Sequence, residues 1–377
     1  MKMTPFARFN VSVKRREIRS RLSHRALALF CFAAFMAVFA LSMRAQAPAP
    51  TAWNVTIVLP RKLVAGQPAT LATFGVDGKL APGVTVDLGG EERVLTDKTG
   101  RGYFNAPTAG NILIAKASGS SAAALVDRVP PVSDAKASEA NHQAISVASF
   151  ISMRDAFAIC GPGLRGDAND NRVQINGEES LIVAASPECM AVLPGPKAVP
   201  GPAKISVESP GTGWTVATTL VSLEFEAPNP PLIPEKKSEL VVRVHGSDQR
   251  LRIIAVNETP GVLRFLRGDA QELVTSGGAA NFAALKVQAI RSGDYSFHAR
   301  LVPAPDADAA RRFLEAAQPL AEKDLQPVIK RLAKQLARQL THHSRDWEKI
   351  KDELDRIAAQ TIAGDFRTLL DAARSAL

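Results

Sequence analysis

Histidine and cysteine are scarce in this 377-residue chain, six and three respectively. No C-x-x-C pair is present, and neither are H-E-x-x-H, G-x-S-x-G or a Walker loop. None of the five histidines beyond residue 47 stands where a nucleophile–base pair is suggested, and no paired carboxylates have a glycosidase setting. These absences argue against zinc, serine and nucleotide-driven enzymes. The chain reads as non-enzymatic, with no cofactor and no metal centre expected. A usable excess of positive charge is also lacking. The net charge is +9, but residues 1–47 carry nine basic side chains against Glu17, which leaves +1 for the remainder. A nearly neutral body offers no footprint for a phosphate backbone, which excludes nucleic acid as a partner.

The basic segment accounts for itself. It leads into Ala26–Met43, eighteen residues without a charge, then Arg44 and AQAPAP. Basic, apolar, then small is the pattern of a secretory signal peptide over residues 1–47, with Ala45 and Ala47 at an A-x-A cleavage site. An uncleaved signal anchor is the second reading, because the apolar core approaches a bilayer span. That anchor is the one membrane contact expected. Export to the periplasm, cell surface or exterior follows from both. Beyond Cys31 two cysteines remain, Cys160 and Cys189, in a compartment that permits a disulfide. They are read as one bond, with two small buried thiols as the alternative.

From Trp53 to Pro303 the text is strand-like. Short alternating or β-branched runs (NVTIVLP, VTVDLGG, NILIAKA, RVQING, ELVVRVHG, LRIIAVN, FAALKVQAI) alternate with Gly, Pro, Asn and Asp. Proline-rich runs at 129–143 and 227–234 divide this region into β units at 52–128, 144–226 and 227–303, with 129–143 as linker. The fold class expected is mainly β: tandem immunoglobulin-like sandwiches with an α-helical tail at 304–377. In the tail, Leu325, Ile329, Leu332, Leu336 and Leu340 recur at helical spacing, as do Trp347, Ile350, Leu354 and Ile357. Asp306 and Ser344 stand as N-caps, and Pro327 suits a first helical turn. A further short helix runs from Asp365 to about Ser375. These helices pack on themselves or on the last sandwich, or else form a self-associating or partner-docking hairpin.

Residues 159–178, ICGPGLRGDANDNRVQINGE, superimpose several motifs. Gly161, Gly163 and Gly166 spell a dinucleotide loop, yet a strand follows where a phosphate-binding helix is required. Asp167, Asn169, Asn171 and Glu178 fall at calcium-loop positions, but Arg172 occupies the position that needs glycine. Arg165, Gly166 and Asp167 spell the cell-attachment tripeptide, repeated at Arg267, Gly268 and Asp269. The polar run Arg165, Gly166, Asp167, Asn169, Asp170, Asn171 reads as an exposed candidate recognition loop. Asp97 reads as a turn residue, and His245 and His298 as edge-of-core histidines. Asn54 and Asn257 open glycosylation sequons.

Two resemblances rest on these residues. LVAGQPATL, VDGKLAPGVTVDL and TDKTGRGYF, within 54–118, resemble bacterial immunoglobulin-like modules of surface proteins. Over about 80 residues, Gly161, Gly163, Leu164, Gly166, Asn171, Val173, Ile175, Gly177, Pro194, Gly201, Ile205 and Val207 follow the order of an IPT/TIG domain. Leu164 stands where phenylalanine is commoner, and the cysteines lie outside the usual pattern. The resemblance implies a sandwich used for spacing or binding in extracellular proteins, and no catalytic role. The expected function is non-catalytic binding or scaffolding at the periplasm or cell surface. The partner is another protein or a surface glycan, as in an adhesin or carbohydrate-binding protein. An envelope-assembly subunit docking through the helical tail is the other alternative.

Overall fold

The computed structural model describes residues 55–128, 145–226, 228, 232–266, 268–342 and 347–377. The signal segment, Asn54, the 129–143 linker, Arg267, His343 and Ser344 lie outside the described residues. The fold is mainly β, a series of immunoglobulin-like sandwiches followed by helices.

In the first unit, strands Thr56–Val58, Pro68–Phe74 and Arg101–Asn105 face a five-stranded sheet. That sheet contains Lys62–Val64, Ser120–Asp127, Ile112–Ala117, Thr85–Asp87 and Arg93–Leu95. Leu63, Leu71, Val86, Phe104, Leu113, Ala115, Ala124 and Val126 fill the space between them. Side chains alternate across a strand, so Ile112, Ile114, Ala123 and Leu125 emerge on the opposite face of the same sheet. There they meet the helices, Leu125 being buried and the other three partly so.

The second unit has its own core of Ile151, Ile159, Leu164, Val173, Ile175, Met190, Val192, Ile205, Val207 and Leu220. One of its sheets runs on into the first unit, where Ala185 pairs with Thr70. Its longest strand, Thr212–Phe225, serves two units. Residues 212–220 pair with Gly201–Ser209, and residues 222–225 pair with strand Lys237–His245 of the third unit. The change of partner falls at Val221, ahead of the division expected at 226/227. Three more strands, Ala270–Val274, Arg252–Asn257 and Phe297–Leu301, form the third unit's other sheet.

Four helices follow: α1 (Ala307–Ala317), α2 (Gln326–His342), α3 (Trp347–Gln360) and α4 (Asp365–Ser375). Asp306 caps α1, its carboxylate accepting from the Ala309 N–H at 3.0 Å. Pro327 lies in the first turn of α2, where its missing N–H costs nothing. The apolar stripes meet in one cluster of Phe313, Leu314, Ile329, Leu332, Leu336, Ile350, Leu354, Ile357, Leu369 and Leu370, and Leu125 of the first unit belongs to it. The helices thus pack on one another, one of the arrangements the sequence allowed, and together cover the first sandwich, which the sequence did not indicate. Polar pairs ring this contact: Ser121 with Thr368 at 2.6 Å, Lys116 with Asp365 at 2.6 Å, and Arg312 with Asp127 at 2.5 Å. The third unit meets the helices through ions. Buried Lys351 lies 3.5 Å from Glu272, and Arg252 lies 2.5 Å from Glu348. The contacts close a circuit of first, second and third units, helices, and first unit again.

Candidate binding site

Local chemistry shapes the polar run first. Asp167 caps a one-turn helix, Ala168–Asp170, accepting from the Asn169 N–H at 2.8 Å. Asn171 is buried with both ends of its amide engaged. Its Oδ1 accepts from the Arg165 N–H and the Ser209 hydroxyl, and its Nδ2 donates to the Arg165 and Asp167 carbonyls. The glycines are there for room. Gly163 takes φ +82° against Trp214, and a Cβ on Gly166 would lie 1.8 Å from the Pro68 carbonyl oxygen.

That last contact crosses between units. The Thr70 hydroxyl, fully buried, donates to the Gly166 carbonyl at 2.7 Å and accepts from the Ala168 N–H at 3.1 Å. Arg165, Asn169 and Asp170 are exposed, Asp167 is half-buried, and Gly166, Ala168 and Asn171 are buried. The run is therefore an exposed loop at three positions and an inter-unit joint at the others. The middle of the cell-attachment tripeptide is fixed in that joint. The Asp167 carboxylate accepts from the Asn169 N–H, and the Asn171 amide donates to the Asp167 carbonyl. Among the described residues no group of three His, Cys, Asp or Glu could hold a metal ion.

Beside the joint lies a cleft of about 370 Å³ lined by Pro68, Ala69, Tyr103, Phe104, Asn105, Gly166 and Asp167. Strand alternation puts Arg101, Tyr103 and Asn105 on one side of strand Arg101–Asn105, with Phe104 turned into the core. Arg101 Nη1 donates to Asn169 Oδ1 at 3.2 Å, and Asn169 Nδ2 donates to the Tyr103 hydroxyl at 2.7 Å. Arg101 is 9% exposed, and its Nε has no hydrogen-bond partner among the described residues. Tyr103 is 42% exposed. Sequence reasoning passed over Tyr103. Its signal was present, an aromatic on the outward side of a strand, but nothing in the chain text says that the second unit reaches it. Nearby, Asp97 is a turn residue as expected, its carboxyl held below the usual range chiefly by the Thr99 hydroxyl.

Other expected positions resolve as follows. Cys160 and Cys189 form a disulfide between paired strands Phe157–Cys160 and Cys189–Leu193. The turn it anchors carries Ser186, whose hydroxyl donates to the Lys62 carbonyl of the first unit at 2.6 Å. It also carries Glu188, whose carboxyl is pushed up by burial and then by Asp127, against Lys62 and Arg312. The two strand histidines are less solitary than their sequence neighbours suggest. His298 lies 3.0 Å from Asp155 of the second unit, and His245 lies 3.6 Å from Glu224 on the adjoining strand. Hydrogen bonding to Asp155 raises the His298 pKa. Asn257 is buried and donates to the Leu263 carbonyl at 2.6 Å, so the amide of that sequon is already engaged.

With this geometry in place, comparison with known proteins adds little. No protein-family model matches the chain, and no curated protein does. Solved structures with similar arrangements include the plexin A4 extracellular region, at 11% identity and a TM-score of 0.25 over 67% of this chain and 23% of that one. A second is the Bacteroides ovatus SGBP-B protein of a mixed-linkage glucan utilization locus, determined with a mixed-linkage heptasaccharide. It shows 12% identity and a TM-score of 0.22 over 64% of this chain and 72% of that one. A third is invasin, a bacterial integrin-binding protein, at 12% identity and a TM-score of 0.18 over 66% of this chain and 57% of that one. The chain spans about a quarter of the plexin chain it matches.

Proposed function

We propose that the protein is an exported, non-catalytic binding or scaffolding protein of the periplasm or cell surface. In this reading its first unit is a bacterial immunoglobulin-like module and its second an IPT/TIG-like sandwich. The observation that carries the proposal is the closed circuit of packing. Three sandwiches and four helices hold one another through a shared apolar cluster, a shared strand and cross-unit hydrogen bonds. Such rigidity suits presentation of a preformed surface. The apolar stripes of the helices are occupied by the first unit, which favours an internal clamp over an envelope-assembly subunit docking through its tail. Export rests on the N-terminal pattern and accords with the disulfide. The test combines osmotic-shock fractionation with purified-protein assays on ester, glycoside, peptide and phosphoester substrates. Recovery with the envelope and no turnover are expected; a cytoplasmic chain, or turnover lost on mutation of the cleft, would overturn the proposal.

A further inference from the structure

We propose that the cleft between the first and second units binds a neutral oligosaccharide, an inference that rests on the non-catalytic binding reading above. The argument begins with the direction of two hydrogen bonds. A guanidinium can only donate, so Arg101 fixes the Asn169 amide with its oxygen toward Arg101 and its NH₂ toward Tyr103. The Tyr103 oxygen is thereby an acceptor within the protein, and its own proton is left to donate into the cleft. A charged donor at the head of such a chain strengthens each following bond. Arg101 is held in place by burial, and the strand that bears it is pinned to Pro68–Phe74 along five residue pairs.

The rest of the lining complements that donor. Asp167 uses one carboxylate oxygen to cap Asn169 and retains the other as an acceptor. Exposed Asn105 offers an amide that can both donate and accept. Pro68 supplies a small apolar surface, and the 42%-exposed Tyr103 ring supplies an aromatic face. The ring face carries negative potential, which suits the weakly positive C–H face of a pyranose. Sugar hydroxyls each give and take one hydrogen bond, as this mixed set requires. The Asp167 carboxylate in the lining disfavours contact with anionic ligands, and Arg101, whose Nη1 is engaged by Asn169, is not among the lining residues. A volume of about 370 Å³ admits a small ligand, not a protein face. Because the donor comes from one unit and the carboxylate from the other, the site exists only while the joint is closed.

The experiment uses the full exported chain and five probes: cellohexaose, laminarihexaose, maltohexaose, xylohexaose and chitohexaose. Saturation-transfer NMR screens them and calorimetry measures affinity. At least one probe is expected to bind at millimolar affinity or tighter. Tyr103→Ala should weaken that binding roughly tenfold or more, and Tyr103→Phe, which keeps the ring and removes the donor, about three- to tenfold. Both variants should melt close to the parent, because Tyr103 lies outside the core and the hydrogen bond lost with Asn169 is exposed to solvent. Binding by none of the five probes, or equal binding by Tyr103→Ala, overturns the inference. If the probes fail while the chain fractionates with the envelope and turns nothing over, the saccharide is refuted and the binding reading stands. Hydrolysis of a probe would refute the non-catalytic reading instead.

Discussion

Replacing Gly166 by alanine tests the joint on which the candidate site depends. The new Cβ would lie 1.8 Å from the Pro68 carbonyl oxygen and 2.5 Å from its carbon, whereas real contacts begin near 3.0 Å. Both opposing atoms are backbone, so no side chain can swing aside. The two units must separate locally by roughly 1 Å or more, since packed interiors hold no spare room. That shift takes the Thr70 hydroxyl out of reach of the Gly166 carbonyl and the Ala168 N–H, now at 2.7 Å and 3.1 Å. Two hydrogen bonds at about 1 kcal/mol each are lost, and a fully buried hydroxyl is left without partners, for a total near 2–4 kcal/mol. Urea unfolding should show this loss. Hydrogen exchange should quicken in residues 68–74 and 164–171 while the third unit keeps its protection. Gly213→Ala serves as control, because its nearest neighbour is the Val207 oxygen at 3.8 Å, and a change within about 0.5 kcal/mol is expected. A Gly166→Ala protein with the parent's midpoint and exchange pattern would refute the close-packing account.

Three further outcomes are expected. Removing the disulfide by Cys160→Ala with Cys189→Ala opens a loop of sequence separation 29, which costs about 3–4 kcal/mol on loop entropy; urea titration of both forms measures it. Leu125→Ala should cost about 2–5 kcal/mol in the full chain, and much less in a chain ending at Pro303, where the helices no longer cover Leu125; a thermodynamic cycle between the two compares them. The His298–Asp155 contact should hold the second and third units together more firmly in mild acid than in mild alkali. The Asp155 hydrogen bond raises the His298 pKa above 6.5, aided by Glu258 and opposed by burial and Arg300. The stabilisation is therefore complete below about 6.5 and is lost as pH rises through the higher folded value. Exchange rates in residues 297–301 across pH 5–9 should follow this course, and His298→Gln should flatten it.

Much of the fold was legible because periodicity reports burial. The spacing of Ile329, Leu332 and Leu336 gave helices where helices stand, and alternation along Ile112–Ala117 gave a strand. The partner of each buried face was harder to read. Ile112, Leu113 and Ile114 are apolar in succession, a sign of a strand covered on both sides, but the run does not say that helices two hundred residues later provide the cover. Thr212–Phe225 was not singled out, and the prolines after it were taken for a boundary because they mark the end of a strand and of a domain alike. At the site, close packing of the Gly166 region was foreseeable in kind, whereas Pro68 and Thr70 were not. Nor was Tyr103, because a contact across 66 residues leaves no local pattern.

The apolar cluster shared by residues 112–125 and 307–377 has a mechanical consequence. Tension applied between residue 55 and residue 377 does not run through the units in series. Both points of attachment belong to bodies pressed against one another, so the helix-to-sheet contact bears the load and the second and third units stay slack. Such a chain resists stretching like a buckled strap: nothing lengthens until the buckle gives, and then the whole string becomes available at once.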